Sequence, residues 1–154
     1  MSPNMIHLLI KALGETLYMV ALSAAIASLF GIPLGVILTI TGKGHIKENA
    51  ALHKTLGSIV NALRSVPFII LMVAIIPLTR IIVGSSIGTT AAIVPLTISC
   101  TPFISRIIES SLLEVDPGVI EAAQSMGASP LQIICKVMIP ESVPSLLSDA
   151  TVAI

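Results

Sequence analysis

The sequence predicts an all-α integral membrane protein that crosses the bilayer several times. Hydrophobic residues make up 55% of the chain and charged residues only 10%, whereas soluble domains carry about 25% charged residues. Such a chain lacks the polar surface to face water on every side. The formal net charge is zero, which argues against a nucleic acid or another partner recruited by bulk charge.

The first predicted span covers residues 15–41. Its central part, 17–40, contains no charged residue and exceeds the roughly 20 residues that cross a bilayer core. Gly31 and Gly35 form a GxxxG pattern that would let a second helix approach closely, although glycine is also common in membrane helices generally. The residues before Glu15 have apolar side chains at helical spacing, which favours an interfacial lead-in over a cleaved signal peptide.

Two further spans are predicted over 57–80 and 89–108, and the loop 43–54 that precedes them is basic. Prolines inside both spans should kink the helices. The last apolar stretch, 143–154, would form roughly 18 Å of helix against a hydrocarbon core of roughly 30 Å. We therefore expect the chain to be truncated within its fourth spanning helix.

Lysine and arginine residues predict the orientation. If the loop 43–54 is cytoplasmic, most of the basic residues lie inside, and the reverse assignment would place them outside against the positive-inside rule. The residues that this assignment places inside are Lys43, Lys47, Lys54, Arg64, Arg106 and Lys136. The N-terminus is then outside, and the segment 116–140 is cytoplasmic.

The segment 116–140 is unusually polar for this chain and predicts a helix-turn-helix. Asp116 and Pro117 combine a residue that caps free backbone N–H groups with a proline suited to the first helical position. Ser129 and Pro130 repeat the same signal. Two such starts in succession favour two short helices over a solvated loop with incidental helicity.

Gly127 lies between the two predicted helices, where the chain often needs a positive φ that only glycine adopts without strain. We expect Pro140 to close the second helix. Each helix has an apolar stripe at helical spacing. The two stripes are Val119, Ala122, Ala123 and Met126 in the first helix, and Leu131, Ile134, Val137 and Met138 in the second. A rigid hairpin with such faces, projecting from a membrane, indicates a docking element.

The hairpin resembles the EAA loop of ABC-transporter permeases, whose signature is Glu-Ala-Ala, three residues, Gly, nine residues and Ile-x-Leu-Pro. The chain reads "EAAQSMG", nine further residues and then "VMIP". Val137 and Ile139 are conservative substitutions in the final part of the signature. The resemblance implies an ATPase-coupling set made of Glu121, Ala122, Ala123, Gly127, Ala128, Pro130 and Pro140.

Beyond the hairpin, "VNALRSVPFIILMVAIIPLTRIIVGSSIG" and "AAIVPLTISCTPFISRIIESSLLEV" are similar to the permeases of methionine-type ABC importers. The resemblance covers nearly the whole chain from Glu15 onward. It implies a homodimer in a bacterial inner membrane, with five spanning helices per subunit and a central pathway for methionine, while its configuration, D or L, is left undecided. It also implies a cytosolic ABC ATPase partner that binds ATP and Mg, and an extracellular methionine-binding lipoprotein.

The sequence itself agrees that ATP chemistry belongs to another chain, because it contains no G-x-x-x-x-G-K-[ST] motif. It contains no Ser-His-Asp set, paired carboxylates or metal-ligand pattern, so we expect no enzyme activity, metal or cofactor in this chain. An ion-coupled secondary transporter and a small membrane scaffold remain alternatives. A proton-coupled carrier would need a buried acidic residue in its spans, and none is predicted. A scaffold would not need a docking hairpin.

Arg64 and Pro67 are further candidates, as a gating element or helix-end anchor. Arg64 could extend its side chain to the cytoplasmic interface, or it could anchor the helix end near the pathway or the hairpin. Pro67 should kink the helix and free a carbonyl group. Glu109, Glu114 and Asp116 predict a solvated acidic face. No substrate-binding residue can be assigned from the sequence.

Overall fold

The computed structural model describes residues 3–152, which form helices and connecting turns without any strand. Helices α1 (Pro3–Thr41) and α5 (Thr89–Leu113) are each long and apolar enough to cross a membrane. The all-α class predicted from the sequence is confirmed. With 39 residues, α1 is about 58 Å long, so the predicted lead-in and first span form one continuous helix.

Helices α1 and α5 pack against each other through the two glycines of the GxxxG pattern. A Cβ atom on Gly31 would lie 2.9 Å from Cβ of Ile104, and one on Gly35 would lie 2.6 Å from the carbonyl oxygen of Ser105. Real Cβ atoms essentially never lie this close to another heavy atom. The glycines therefore set how closely the two helices approach, which the sequence left undecided.

The second predicted span is broken rather than continuous. Helix α2 (Ala50–Ser65) begins earlier than expected. The axis of α3 (Phe68–Ala74) is bent by 105° relative to that of α2. Helix α4 (Ile76–Val83) follows. The break falls at Val66, which is extended with φ −79° and ψ 125°. Pro67 explains it, because proline lacks an N–H donor and disfavours helical geometry in the residue before it.

The remaining helices form the hairpin and its continuation. Helix α6 (Pro117–Ser125) and α7 (Pro130–Ile133) are followed by a π-helical turn (Ile134–Met138) and α8 (Ile139–Val152). The prediction that Pro140 closes the second helix is wrong, because the helical path runs through it. The π-helical turn allows this, because the Ile139 N–H donates to the Ile134 carbonyl, five residues back. The wider turn accommodates the proline that follows.

A cluster of buried apolar residues lies where the hairpin meets the helix ends. It consists of Leu112, Val115, Ile120, Ala123, Ile133, Ile134 and Met138. Side chains from α1, α5 and the loop after α1 pack against it, including Ile40, Ile46 and Ile108. The hairpin is thus joined to both long helices by one apolar core.

Candidate functional site: the helical hairpin and its supports

The residues from which the turn of the hairpin was predicted also stabilise it in the structure. The Asp116 side chain accepts a hydrogen bond from the Gly118 N–H at 2.7 Å and caps α6. Gly127 has φ +79°, and its N–H donates to the Gln124 carbonyl at 2.9 Å. The next N–H, that of Ala128, donates to the Ala123 carbonyl at 3.1 Å. The carbonyl groups at the end of α6 are therefore satisfied within the turn.

The second helix starts with a reciprocal capping box. The Ser129 N–H donates to Oε1 of Gln132 at 2.8 Å, and the Gln132 N–H donates to Oγ of Ser129 at 3.4 Å. Pro130 occupies the first turn, where its missing N–H leaves no bond unmade. The angle between α6 and α7 is therefore restrained at both sides of Gly127.

The hairpin has an inner and an outer face. Ile120 and Ala123 point inward, with relative exposures of 9% and 4%. Met126 and Leu131 point outward, with exposures of 82% and 73%. The outer face of the hairpin therefore exposes two large apolar side chains.

The predicted coupling residues divide between these faces. Glu121, Ala122, Gly127 and Pro140 are exposed, Ala128 and Pro130 are half-buried, and Ala123 is buried. The predicted stripe of α6 is therefore wrong at Ala123, which belongs to the inner core instead of the outer surface. Ile120 and Ile133 are core residues that the sequence analysis missed, although Ile120 and Ala123 at i and i+3 carried the signal.

The basic loop after α1 forms part of the same structure. Ile46 packs against the buried cluster of the hairpin. A cavity of about 360 Å³ lies between the loop and α6, and its polar side chains include Lys43, His45, Glu121 and Gln124. Glu121 therefore borders a polar groove shared with this loop, a contact that connects residues more than seventy positions apart in the sequence.

Hydrogen bonds hold this loop to the end of α1. The Lys47 N–H donates to the Ile40 carbonyl and the Asn49 N–H to the Thr41 carbonyl, both at 3.0 Å. Nδ1 of His53, on α2, lies 2.9 Å from the Leu38 carbonyl oxygen. These hydrogen bonds fix the loop between α1 and α2 against the end of α1.

Arg106 ties α5 to α2. Its Nη1 donates to Oε2 of Glu109 at 2.6 Å, and its Nη2 donates to the Gly57 carbonyl at 3.2 Å and to Oδ1 of Asn61 at 2.9 Å. The predicted solvated acidic face is wrong at Glu109, which is only 5% exposed. The expectation of no buried acid in the spanning helices also needs correction, since Glu109 lies inside α5, neutralised by Arg106.

Arg64 and Pro67 lie away from the hairpin. Arg64 is exposed in the last turn of α2, and Pro67 lies at the bend before α3. A cavity of about 320 Å³ separates the bend from the middle of α5, where Ser99 and Phe103 line it. Arg64 lines this cavity.

Within residues 3–152, no group of three or more His, Cys, Asp or Glu side chains could hold a metal ion. Cys100 and Cys135 are both free thiols. The geometry of the hairpin consists of packing, caps and hydrogen bonds.

Comparison with known proteins assigns the family. The model of the family described as "Binding-protein-dependent transport system inner membrane component" matches residues 31–154. The chain belongs to this family. The resemblance to ABC-importer permeases found at the hairpin is thereby confirmed.

Two curated members of the family are close in sequence. The probable D-methionine transport system permease protein MetI of Vibrio cholerae is 58% identical over 147 residues, which cover 96% of this chain and 65% of that protein. The D-methionine transport system permease protein MetI of Salmonella typhi is 51% identical over 100% of this chain and 71% of its own length. The chain thus spans about two thirds of the length of these relatives.

A solved structure shows the same fold. It is described as inward-facing conformations of the MetNI methionine ABC transporter, in the native crystal form. This chain matches that structure with a TM-score of 0.95 and 50% sequence identity. The match covers 99% of this chain and 70% of the solved chain. The fold described here is therefore the permease fold of that transporter.

Proposed function

We propose that this chain is the permease subunit of an ATP-driven importer of methionine. Its relatives in Vibrio cholerae and Salmonella typhi are named as permeases for D-methionine, and the solved neighbour is a methionine ABC transporter. One structural observation supports the proposal most strongly: the hairpin exposes Met126 and Leu131 outward while its inner face is built into the ends of α1 and α5.

The hairpin enters a groove on a cytosolic ABC ATPase and passes the closing motion of that ATPase to the membrane. Glu121, Ala122 and Met126 form the contact surface on α6. The buried cluster beneath them is close-packed, and close-packed interiors transmit displacement because they compress little. Movement of the hairpin therefore shifts the adjoining ends of α1 and α5, which contribute to the substrate pathway.

The other parts of the importer lie outside this chain. Two copies of the permease form the pathway, the ATPase binds ATP and Mg, and an extracellular lipoprotein delivers methionine. The permease itself catalyses no reaction and holds no cofactor. The positive-inside rule supports an outside N-terminus and a cytoplasmic hairpin.

Co-purification tests the docking role directly. The full-length permease is co-expressed with its candidate ATPase, and the complex is isolated from detergent-solubilised membranes. We expect wild type to retain the ATPase and Glu121→Lys and Gly127→Pro to lose it, since one reverses a surface charge and the other is incompatible with φ +79°. Methionine uptake should fall in the same two variants.

Two matched variants control for general damage. Glu15→Lys reverses an exposed charge on α1 far from the hairpin, and Gly127→Asn keeps a residue that tolerates positive φ. Both should retain the ATPase. Unchanged uptake by Gly127→Pro, or a folded wild type that retains no ATPase, would contradict the proposal and direct attention to ion-coupled transport.

A further inference from the structure

We propose that the cavity at the bend between α2 and α3 binds the carboxylate of an amino-acid substrate through Arg64. This inference rests on the proposed import function and names the site within it. The cavity has a volume of about 320 Å³, within the range of small-molecule sites. Its lining residues are Leu63, Arg64 and Val66 at the bend, and Ser99, Cys100 and Phe103 on α5.

The cavity lies between helices of the membrane-spanning part of the chain. Helix α5 is long and apolar enough to span a membrane, and the bent pair of α2 and α3 passes the same test when taken as one span. Ser99 and Phe103 lie near the middle of α5, and Arg64 lines the same cavity.

An arginine between membrane helices is unfavourable unless it faces water, the interface or an anionic partner. Arg64 is exposed and lines the cavity, so a carboxylate that enters the cavity can reach its guanidinium group.

The described residues supply no such anion. The two ion pairs among residues 3–152 are Lys11 with Glu15 and Arg106 with Glu109. Arg64 thus has no carboxylate partner in that part of the chain. Its guanidinium group has five donors in a planar fork, which matches a carboxylate with two parallel hydrogen bonds.

The backbone at the bend supports the same assignment. Val66 is extended, so the helical hydrogen bonds stop at the end of α2 and resume in α3. Irregular backbone within a membrane occurs where it is buried in protein or lines a polar cavity, and broken helices often form substrate sites in transporters. Arg64 and Pro67 place a cation and a helix break at the same cavity.

The other residues that line the cavity indicate the chemistry of the rest of the ligand. Leu63, Val66 and Phe103 present apolar surface, which suits an uncharged apolar side chain. The hydroxyl oxygen of Ser99 can accept a hydrogen bond from an ammonium group. Together they fit a zwitterionic amino acid with an apolar side chain, its carboxylate directed at Arg64.

Binding to the full-length permease tests this site. The subunit is purified in detergent without its ATPase or lipoprotein, so that no other chain supplies the site. Binding of radiolabelled L-methionine is measured, with competition by L-methioninol, in which a hydroxymethyl group replaces the carboxylate. Arg64→Gln should weaken methionine binding by about tenfold or more and abolish the preference for methionine over methioninol.

Two further variants make the result specific. Arg64→Lys keeps the charge but loses the fork, so it should bind with intermediate affinity and keep the preference. Arg80→Gln removes an exposed arginine, hydrogen-bonded to Ser86 beyond the cavity, and should bind like wild type. Each variant is accepted for comparison when its size-exclusion profile and helix content match wild type.

The outcomes separate this inference from the proposed function. If the complete transporter takes up methionine but Arg64→Gln keeps wild-type binding or the preference for a carboxylate, the Arg64 site is wrong and the import function stands. Wild-type permease that binds no methionine also overturns the site. If the complete transporter takes up no methionine, the proposed function fails and this inference fails with it.

Discussion

Gly35 lies so close to α5 that a Cβ atom on it would come within 2.6 Å of the Ser105 carbonyl oxygen. The same helix contains Gly14, where an added Cβ would meet nothing within 4 Å. The two glycines differ in their surroundings although both lie in α1. This contrast allows the helix contact to be tested within a single element.

We expect Gly35→Ala to destabilise the protein by about 1–3 kcal/mol, the usual effect of overpacking, because the backbone of α5 must move away. The measurement is thermal unfolding of the purified protein in detergent. Gly14→Ala is the control, and it should be neutral or stabilising by about 0.5–1 kcal/mol, since alanine favours a helix more than glycine. Equal midpoints for the two variants would show that α1 and α5 do not pack as described.

Ile46 provides a test of how the hairpin is joined to the membrane helices. It is half-buried and packs against the cluster under the hairpin, and it lines the groove that Glu121 borders, whereas Met126 and Leu131 lie on the outer face. Ile46→Ser should therefore leave ATPase co-purification intact but reduce the methionine imported per ATP hydrolysed. We expect a reduction of about threefold or more, because a lost core contact of about 1 kcal/mol already weakens the connection by that order.

Ile87→Ala serves as the control for the coupling measurement, because Ile87 is 86% exposed in the turn between α4 and α5. It should import methionine and hydrolyse ATP in the wild-type ratio. If Ile46→Ser also keeps the wild-type ratio, motion reaches the membrane helices without the loop after α1. If it loses the ATPase, the loop belongs to the docking surface instead.

The Arg106–Glu109 ion pair should make the stability of the protein depend strongly on which of the two residues is substituted. Arg106→Gln leaves the Glu109 carboxylate, 5% exposed, without its cation, and such a loss costs about 3–5 kcal/mol when the pair is fully buried. The Arg106 side chain is 25% exposed, so we expect about half of that cost. The double variant Arg106→Gln/Glu109→Gln should be more stable than Arg106→Gln alone.

A double-mutant cycle in thermal unfolding measures this coupling. A non-zero interaction energy of about 1 kcal/mol or more is expected for groups in direct contact. Additive effects of the two substitutions would show that Arg106 is held by Asn61 and the Gly57 carbonyl alone. Lys11→Gln with Glu15→Gln is the control cycle, because that pair is exposed with a distance of 4.0 Å and should show little coupling.

Local sequence predicts much of the hairpin because each signal acts within a few residues. The caps at Asp116 and Ser129 form as predicted, and Gly127 has the positive φ that its position between two helices indicates. The bend at Pro67 follows from the same kind of local restriction, although its 105° angle does not. Pro140 was interpreted wrongly, because a π-helical turn before it relieves the clash that usually ends a helix.

The sequence by itself determined that this chain is helical, that it belongs in a membrane and where its helical hairpin turns. Composition, capping residues and glycine or proline act on their own neighbourhood, so they can be read from a single chain. Only the tertiary structure placed Ala123 inside the hairpin, Ile46 beneath it and Arg106 on the Gly57 carbonyl. Those contacts join residues far apart along the chain, and they depend on shape and charge at positions that no local sequence pattern specifies.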